Sequence, residues 1–389
     1  MSGHVGNLSL QQQEALNKFR LRFTNILPPE ELDDDYFLLR WLRARDFNLQ
    51  KSEEMLKKNC RFRKEWKIDR LVAEDNVPEL WRTYYPGDYI GYDKDEAPIF
   101  LLNIGKFDVK GVFLSMKADE ITKHALAVAE KGMQLCERQS KKLGKRIEGV
   151  TVIEDMAGMP MTGFYKPAIA HFTKVLGMFE DNYPEFMKHA FIINADHLQI
   201  LEQYVDKDFI PKALGGNLTD ENGDPHCSAI VGSGGNVPRS LYRSELIKES
   251  ARPLDDYSSV VIARGDSLKL NYNIETSGAL LKWEFKTDYY NIGFGVIKVF
   301  RNDDGSEENY EVIPVIRRNC QIVIEEGSYL CEDPGTYILH FDNSFSWITS
   351  KKLYYIIEVL PPDEAVPNNF DIELNNSLSD KPIVNENGE

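Results

Sequence analysis

Residues 97–105 read APIFLLNIG. Ile99, Phe100, Leu101 and Leu102 follow one another with no polar residue between them, the pattern of a strand covered on both faces. Read outward, the pattern repeats. Residues 115–142, SMKADEITKHALAVAEKGMQLCERQSKK, have the length and spacing of a long helix. GVTVIED (149–155) is a second buried strand, FYKPAIAHFTKVLGMFEDNYPEFMK (164–188) is helical until Pro184 breaks it, and HAFIINA (189–195) is a third strand. Strands that alternate with long helices need crossover connections, so the expected sheet is largely parallel.

Upstream the chain is helical. LSLQQQEALNKFRLRFTNIL places Leu10, Ala15, Leu16, Phe19 and Phe23 on one face behind Ser9 as N-cap, and a third helix turns Met55, Leu56, Phe62 and Trp66 inward. Downstream, GSGGN (232–236) has no buried strand before it and reads as a flexible linker rather than a phosphate loop. From about residue 253 the period falls to two, in short strands separated by turns, which indicates a β-sandwich. The expected division is a helical region over 1–75, an α/β domain over 76–243, a sandwich over 244–362 and a disordered acidic tail over 363–389.

The formal charge of −16 argues against nucleic acid as a partner, because phosphate binding needs a cationic face. Residues 1–70 run the other way, with 14 Lys and Arg against 11 Asp and Glu. Arg40, Arg43, Arg45, Lys57 and Lys58 are a candidate contact for anionic lipid, a solvated helix face being the alternative. No apolar run reaches the roughly 18 residues of a membrane span. Five scattered cysteines read as reduced thiols, so the expected location is the cytoplasm.

Catalytic motifs are missing: G-x-S-x-G, H-E-x-x-H, the P-loop and C-x-x-C do not occur, and the seven histidines show no ligand spacing. Glu154 and Asp155 are adjacent on a strand and point to opposite faces, a poor acid–base pair. No enzyme activity, cofactor or metal is expected. Trp283, Phe285, Phe294 and Trp347 are either sandwich core or a surface for a protein partner.

YFLLRWLRARDFNLQKSEEMLKKNCRFRKEW (36–66), GYDKDEAPIFLLNIG (91–105), VIEDMAG (152–158), FEDNYPEFMKHAFIINA (179–195) and KALGGNLTDENGDP (212–225) resemble, in order, the signatures of the CRAL-TRIO lipid-binding family. WEFKTDYYNIGFGVIKVF (283–300) and DPGTYILHFDNSFSWITSKKLYYIIEVL (333–360) resemble a GOLD domain. The resemblance implies a carrier that holds a lipid in an apolar cavity behind a movable helical gate. Its fold would be a helical region, an α/β domain with a largely parallel sheet and an all-β sandwich. Phe100, Leu102, Val150, Val152 and Ile192 would line the cavity. Arg63 matches an Arg that reaches the headgroup in phosphoinositide-binding relatives, and Glu185 an acid of the same site. Val150 and Val152 stand where choline-lipid binders carry hydroxyls, which favours a tocopherol, a retinoid, or a squalene-like or sterol-like cargo. The implied partners are a hydrophobic small molecule or phospholipid, a membrane surface and, through the sandwich, a Golgi or vesicle protein. The alternative is a trafficking adaptor that carries no lipid.

One segment departs from the family. There, two helices and a strand separate the third strand from the GG turn, roughly 30 residues at average element lengths. Only residues 196–214 are available here, Asp196 replaces the usual Pro, and HLQILEQYV contains no Lys or Arg. The gate and one cavity wall are expected to be shortened, through a missing exon, through divergence to a smaller pocket, or through loss of transfer.

Overall fold

The computed structural model describes residues 2–73, 77–159, 165–193, 198–243, 252–301 and 306–362. The tail at 363–389, and Asp196 with its neighbours at 194–197, lie outside the described residues.

The chain opens with helices α1 (Leu10–Arg22), α2 (Pro29–Leu32), α3 (Asp35–Arg43), α4 (Leu49–Trp66) and α5 (Ile68–Leu71). Ser9 caps α1 in a reciprocal box with Gln12. Leu16, Phe19 and Phe23 are fully buried against Leu38, Leu42 and Leu56. Leu10, expected on the same face, is 91% exposed, because it sits at the first helical position, beyond the reach of the packing partners. A short α6 (Glu79–Tyr84) leads into the α/β domain.

The domain is a four-stranded sheet in the order β1 (Gly87–Tyr92), β2 (Pro98–Leu102), β3 (Val150–Asp155), β4 (Met187–Ile193). The first pair is antiparallel and the other two are parallel. Helices α7 (Val109–Ser115), α8 (Ala118–Leu143) and α9 (Lys166–Asn182) supply the crossovers, and α10 (Leu198–Tyr204) and α11 (Ser228–Val231) follow β4. GSGGN is not a free linker. Gly235 donates to the Lys106 carbonyl at 2.8 Å, and Gly232 and Gly234 have φ of +83° and +64° with backbone oxygens where a Cβ would stand. The absence of side chains serves close packing there rather than flexibility.

The sandwich consists of β5 (Ser258–Ile262), β6 (Ser267–Ile274), β7 (Ala279–Thr287), β8 (Ile292–Arg301), β9 (Glu307–Arg318), β10 (Glu325–Cys331), β11 (Gly335–Asp342) and β12 (Lys351–Leu360). They form two antiparallel sheets, β10-β7-β12-β5 and β6-β11-β8-β9. Phe285, Phe294, Phe341 and Tyr337 fill the space between them, each fully buried ring contributing about 2–3 kcal/mol of transfer free energy. All five cysteines are free thiols, and Cys320 and Cys331 do not pair.

The sandwich docks on the helical and α/β parts through charged groups. Arg61 meets Glu308 at 2.9 Å, Lys64 meets Asp333 at 2.9 Å, and Arg318 meets Asp119 at 2.8 Å. Lys298, 3% exposed, meets Asp333 at 2.8 Å and Glu65 at 3.7 Å. A mixed polar and apolar cleft of about 690 Å³ between Trp66, Lys117, Trp283 and Tyr329 lies along this junction.

Candidate functional site

The two faces of the α/β sheet differ in how they are covered. Ile99, Leu101, Ile153 and Ile193 face one way and pack with Leu201 and Val205, both 1% exposed or less. Tyr204 packs at a tilt against His189 and Phe191, with centroids 4.9 and 5.1 Å away. The helix inside HLQILEQYV therefore seals this face and leaves the opposite one alone.

The opposite face carries Phe100, Leu102, Val150, Val152 and Ile192. Registry puts Phe100 beside Val152 and Ala190, and Leu102 beside Glu154 and Ile192. Helix α8 rests on β2 here, and the Tyr89 hydroxyl donates to the Val128 carbonyl at 3.1 Å. Helix α9 packs instead on α4, α7, α8 and β9 of the sandwich, with β3 and β4 outside its principal contacts. The strip of sheet face between α9 and the strands, part-covered rather than enclosed, is termed the trough. Exposure rises across it: Val150 is 1% exposed and Phe100 8%, Leu102 and Val152 are half-buried, and Ile192 is 69% exposed. Val150 is plain core beside Cys136 and Ile147. Ile192, expected inside a closed chamber, instead stands on an open rim, because β4 is the sheet edge and the chain beyond it turns to the other face.

The closed end of the trough is aromatic. A Cβ at Gly87 would meet Leu102, Phe100 and Tyr85 within 3.2 Å, so glycine lets these three close up. Tyr85 stacks on Trp81 at 4.2 Å, and Trp81 on His124 at 5.3 Å. Burial, with Lys123 and Arg82 nearby, brings His124 down to about 4. Glu154, on the same face, has its carboxyl raised by burial.

The two polar positions carried over from the resemblance are not brought together. Arg63 on α4 bridges to Glu130 on α8 at 3.0 Å and also pairs with Asp69. Burial opposes its charge, yet Glu130 and Asp69 hold the guanidinium above its usual range. Glu185, at φ +57° in the turn between α9 and β4, takes a forked bond from Arg43 at 2.9 and 3.0 Å. Two members of the basic patch leave the surface, Arg40 at 4% exposed and Arg43 spent on Glu185, while Arg45 is half-buried and Lys57 and Lys58 stay exposed, Lys57 meeting Glu53 at 3.0 Å. Of the sandwich aromatics, Trp283, Phe285 and Phe294 are core and Trp347 is 89% exposed.

Leu176 (65% exposed) and Ile169 (45%) on α9 were not singled out by sequence. The signal was present. At 100° per residue, Met178, Val175, Phe179, Phe172, Leu176 and Ile169 span about 180° of the helix, wider than one packed stripe needs. Lys174, which meets Glu311 of the sandwich at 2.8 Å, lies on the opposite flank from Leu176.

Residues 82–198 match the family model described as CRAL/TRIO domain, residues 15–58 that described as CRAL/TRIO, N-terminal domain, and residues 302–359 that described as Golgi-dynamics membrane-trafficking. Protein ctg-1 of Caenorhabditis elegans is 29% identical over 383 residues, covering 90% of this chain and 96% of the relative. Protein real-time of Aedes aegypti is 28% identical, covering 79% of this chain and 52% of the relative. The CRAL-TRIO domain-containing protein T23G5.2 of Caenorhabditis elegans is 28% identical, covering 66% and 39%. The chain thus spans about half or less of the length of the latter two. The solved structure of Sfh5 superposes with a TM-score of 0.41 at 13% identity, covering 58% of this chain and 97% of that one.

Proposed function

This chain is built from a CRAL/TRIO domain, its N-terminal helical domain and a Golgi-dynamics domain, and from that premise we propose that it carries a lipid between membranes, with the apolar part of the cargo lying in the trough beneath α9. The observation that supports this is the stand-off of α9 from β3 and β4, which leaves an apolar sheet face half-covered. Burying a methylene is worth about 0.8 kcal/mol, so a sixteen-carbon chain gains on the order of 12 kcal/mol before the costs of binding, and an open trough realises only part of that. The uncovered side of the cargo needs a second apolar surface, which favours exchange at a bilayer over long residence in water. The trough lined by Phe100, Leu102, Val152 and Ile192 suits a flat or branched hydrocarbon such as a tocopherol, a retinoid, or a squalene-like or sterol-like molecule. The Arg63–Glu130 pair weakens the case for a phosphoinositide headgroup at Arg63, since that guanidinium is already engaged.

Native mass spectrometry of the purified protein tests the reading. We expect a retained apolar molecule in the wild type and its loss in Val152→Phe, which fills the trough. An empty wild type whose vesicle-to-vesicle transfer equals that of the variant rejects the carrier. The match at 302–359 supports a second reading, a trafficking adaptor acting through the sandwich, which predicts an empty trough and capture of Golgi proteins.

A further inference from the structure

One end of the sandwich carries large apolar side chains that the core does not use. Trp347 is 89% exposed, Ile348 85%, Tyr289 80% and Tyr290 53%. They sit on neighbouring turns. Strands β7 and β12 pair with Thr287 opposite Leu353, and β8 and β11 pair with Gly293 opposite Asp342, so the 288–291 and 343–350 turns leave the same end. The turn at 263–266 joins them, with Gly265 donating to Asn343 and Asn343 to Asp266 through the backbone.

This exposure is built in. Asn343 is fully buried, and its side-chain amide donates to the carbonyls of Ala263 at 2.9 Å, Thr349 at 3.0 Å and Ile262 at 3.3 Å, tying the base of the long turn to its neighbour. Phe345 turns inward between Arg317 and Lys351, whose charged groups lie 3.8 and 4.0 Å from its ring centroid. With both ends and the middle of the turn fixed, Trp347 and Ile348 are held outward.

We propose that this tip inserts into the interface of a lipid bilayer, with Trp347 and Ile348 as the deepest residues and Tyr289 and Tyr290 at the headgroup level. Three observations select a bilayer over a protein groove. The surface consists of protruding turns, which a fluid accommodates without a matching cavity. Trp and Tyr are the residues that favour the membrane–water boundary, where one end of the ring is apolar and the other wet. Charge also agrees. On a chain of net −16, the tip exposes Arg264, Arg317 and Lys352 against Asp266, Asp288 and Asp342, a local balance, so an anionic surface that repels the chain as a whole is not repelled here.

The chain reports on this contact itself. Of its five tryptophans, Trp41, Trp66, Trp81 and Trp283 are 6% exposed or less, so a change of emission on adding vesicles comes from Trp347. With vesicles of phosphatidylcholine and phosphatidylserine we expect a blue shift, quenching by lipids brominated near the top of the acyl chains, and co-sedimentation about ten-fold weaker in Trp347→Ala/Ile348→Ala. The double variant keeps the wild-type thermal midpoint, since neither side chain is packed. Vesicle binding without a Trp347 shift places the contact elsewhere and overturns the proposal, as does equal sedimentation of wild type and variant. Neither outcome depends on cargo in the trough, so failure here and failure of the carrier reading are told apart.

Discussion

His124 and His171 are held neutral in the folded chain. His124 stacks on Trp81, and His171, whose Nε2 lies 3.3 Å from Thr122 Oγ1, is 2% exposed. Burial, with Lys123 and Arg82 beside the first and Arg318 beside the second, lowers each to about 4. A histidine depressed on folding leaves stability unchanged above its unfolded value near 6.5. Stability then falls as the pH drops toward 4, because only the unfolded chain takes the proton. Each ring contributes a loss on the order of 2–3 kcal/mol across that window. Urea unfolding at pH 7 and pH 5 should show it, and His124→Phe, which keeps the stack and cannot titrate, should lose less between the two. The Arg63–Glu130 bridge makes a second prediction. Arg63→Ala strands a carboxylate that is 7% exposed and should cost about 3 kcal/mol in urea unfolding, whereas Arg63→Met with Glu130→Leu should cost far less. Arg63 could be picked out from sequence, but its partner could not. Glu130 stands 67 positions away on another helix, and only the packing of α4 on α8 joins them.

At the level of elements, strands and crossover helices were legible because unbroken apolar runs and wide-period helices leave few alternatives. The shared face of Phe100, Leu102, Val150 and Val152 follows from the period of two once the sheet is parallel. The side taken by α10 was not legible. A short amphipathic helix after a strand end can fold to either face, and Leu201 and Val205 chose the one with Ile99 and Ile153. The placement of α9 was equally hidden, since its neighbours α4 and β9 of the sandwich lie far from it in the chain. The rim residue Ile192 separates stability from binding. Ile192→Glu should change the urea midpoint by less than the equivalent of about 0.5 kcal/mol, because the side chain is largely in water, yet it should sharply reduce retention of an apolar cargo measured by mass spectrometry.

For the whole molecule, the junction between the sandwich and the rest is polar where a permanent interface would be oily. Lys298 lies between Glu65 and Asp333 and is almost fully enclosed, so its three charges hold the two halves in one relative position. Lys298→Met removes the cation that Glu65 meets across the junction and leaves Asp333 with Lys64 alone. Calorimetry should then resolve the single unfolding transition expected of the wild type into two, with the sandwich melting separately. The pairings that cross the junction could not be read from the chain, because they join residues far apart in sequence, 199 positions for Asp119 and Arg318 and 247 for Arg61 and Glu308. The edge strand β4 has a consequence of a different kind. Among the described residues it bonds β3 alone, so its outer amides and carbonyls form an unfinished rail. A relative with roughly 30 residues where this chain has only 196–214 could lay a further strand along that rail and rebuild a lid above it, since the entropic charge for a longer loop grows only with the logarithm of its length. The scaffold behind it would need no redesign, and the trough would become a closed box by extension at a single point.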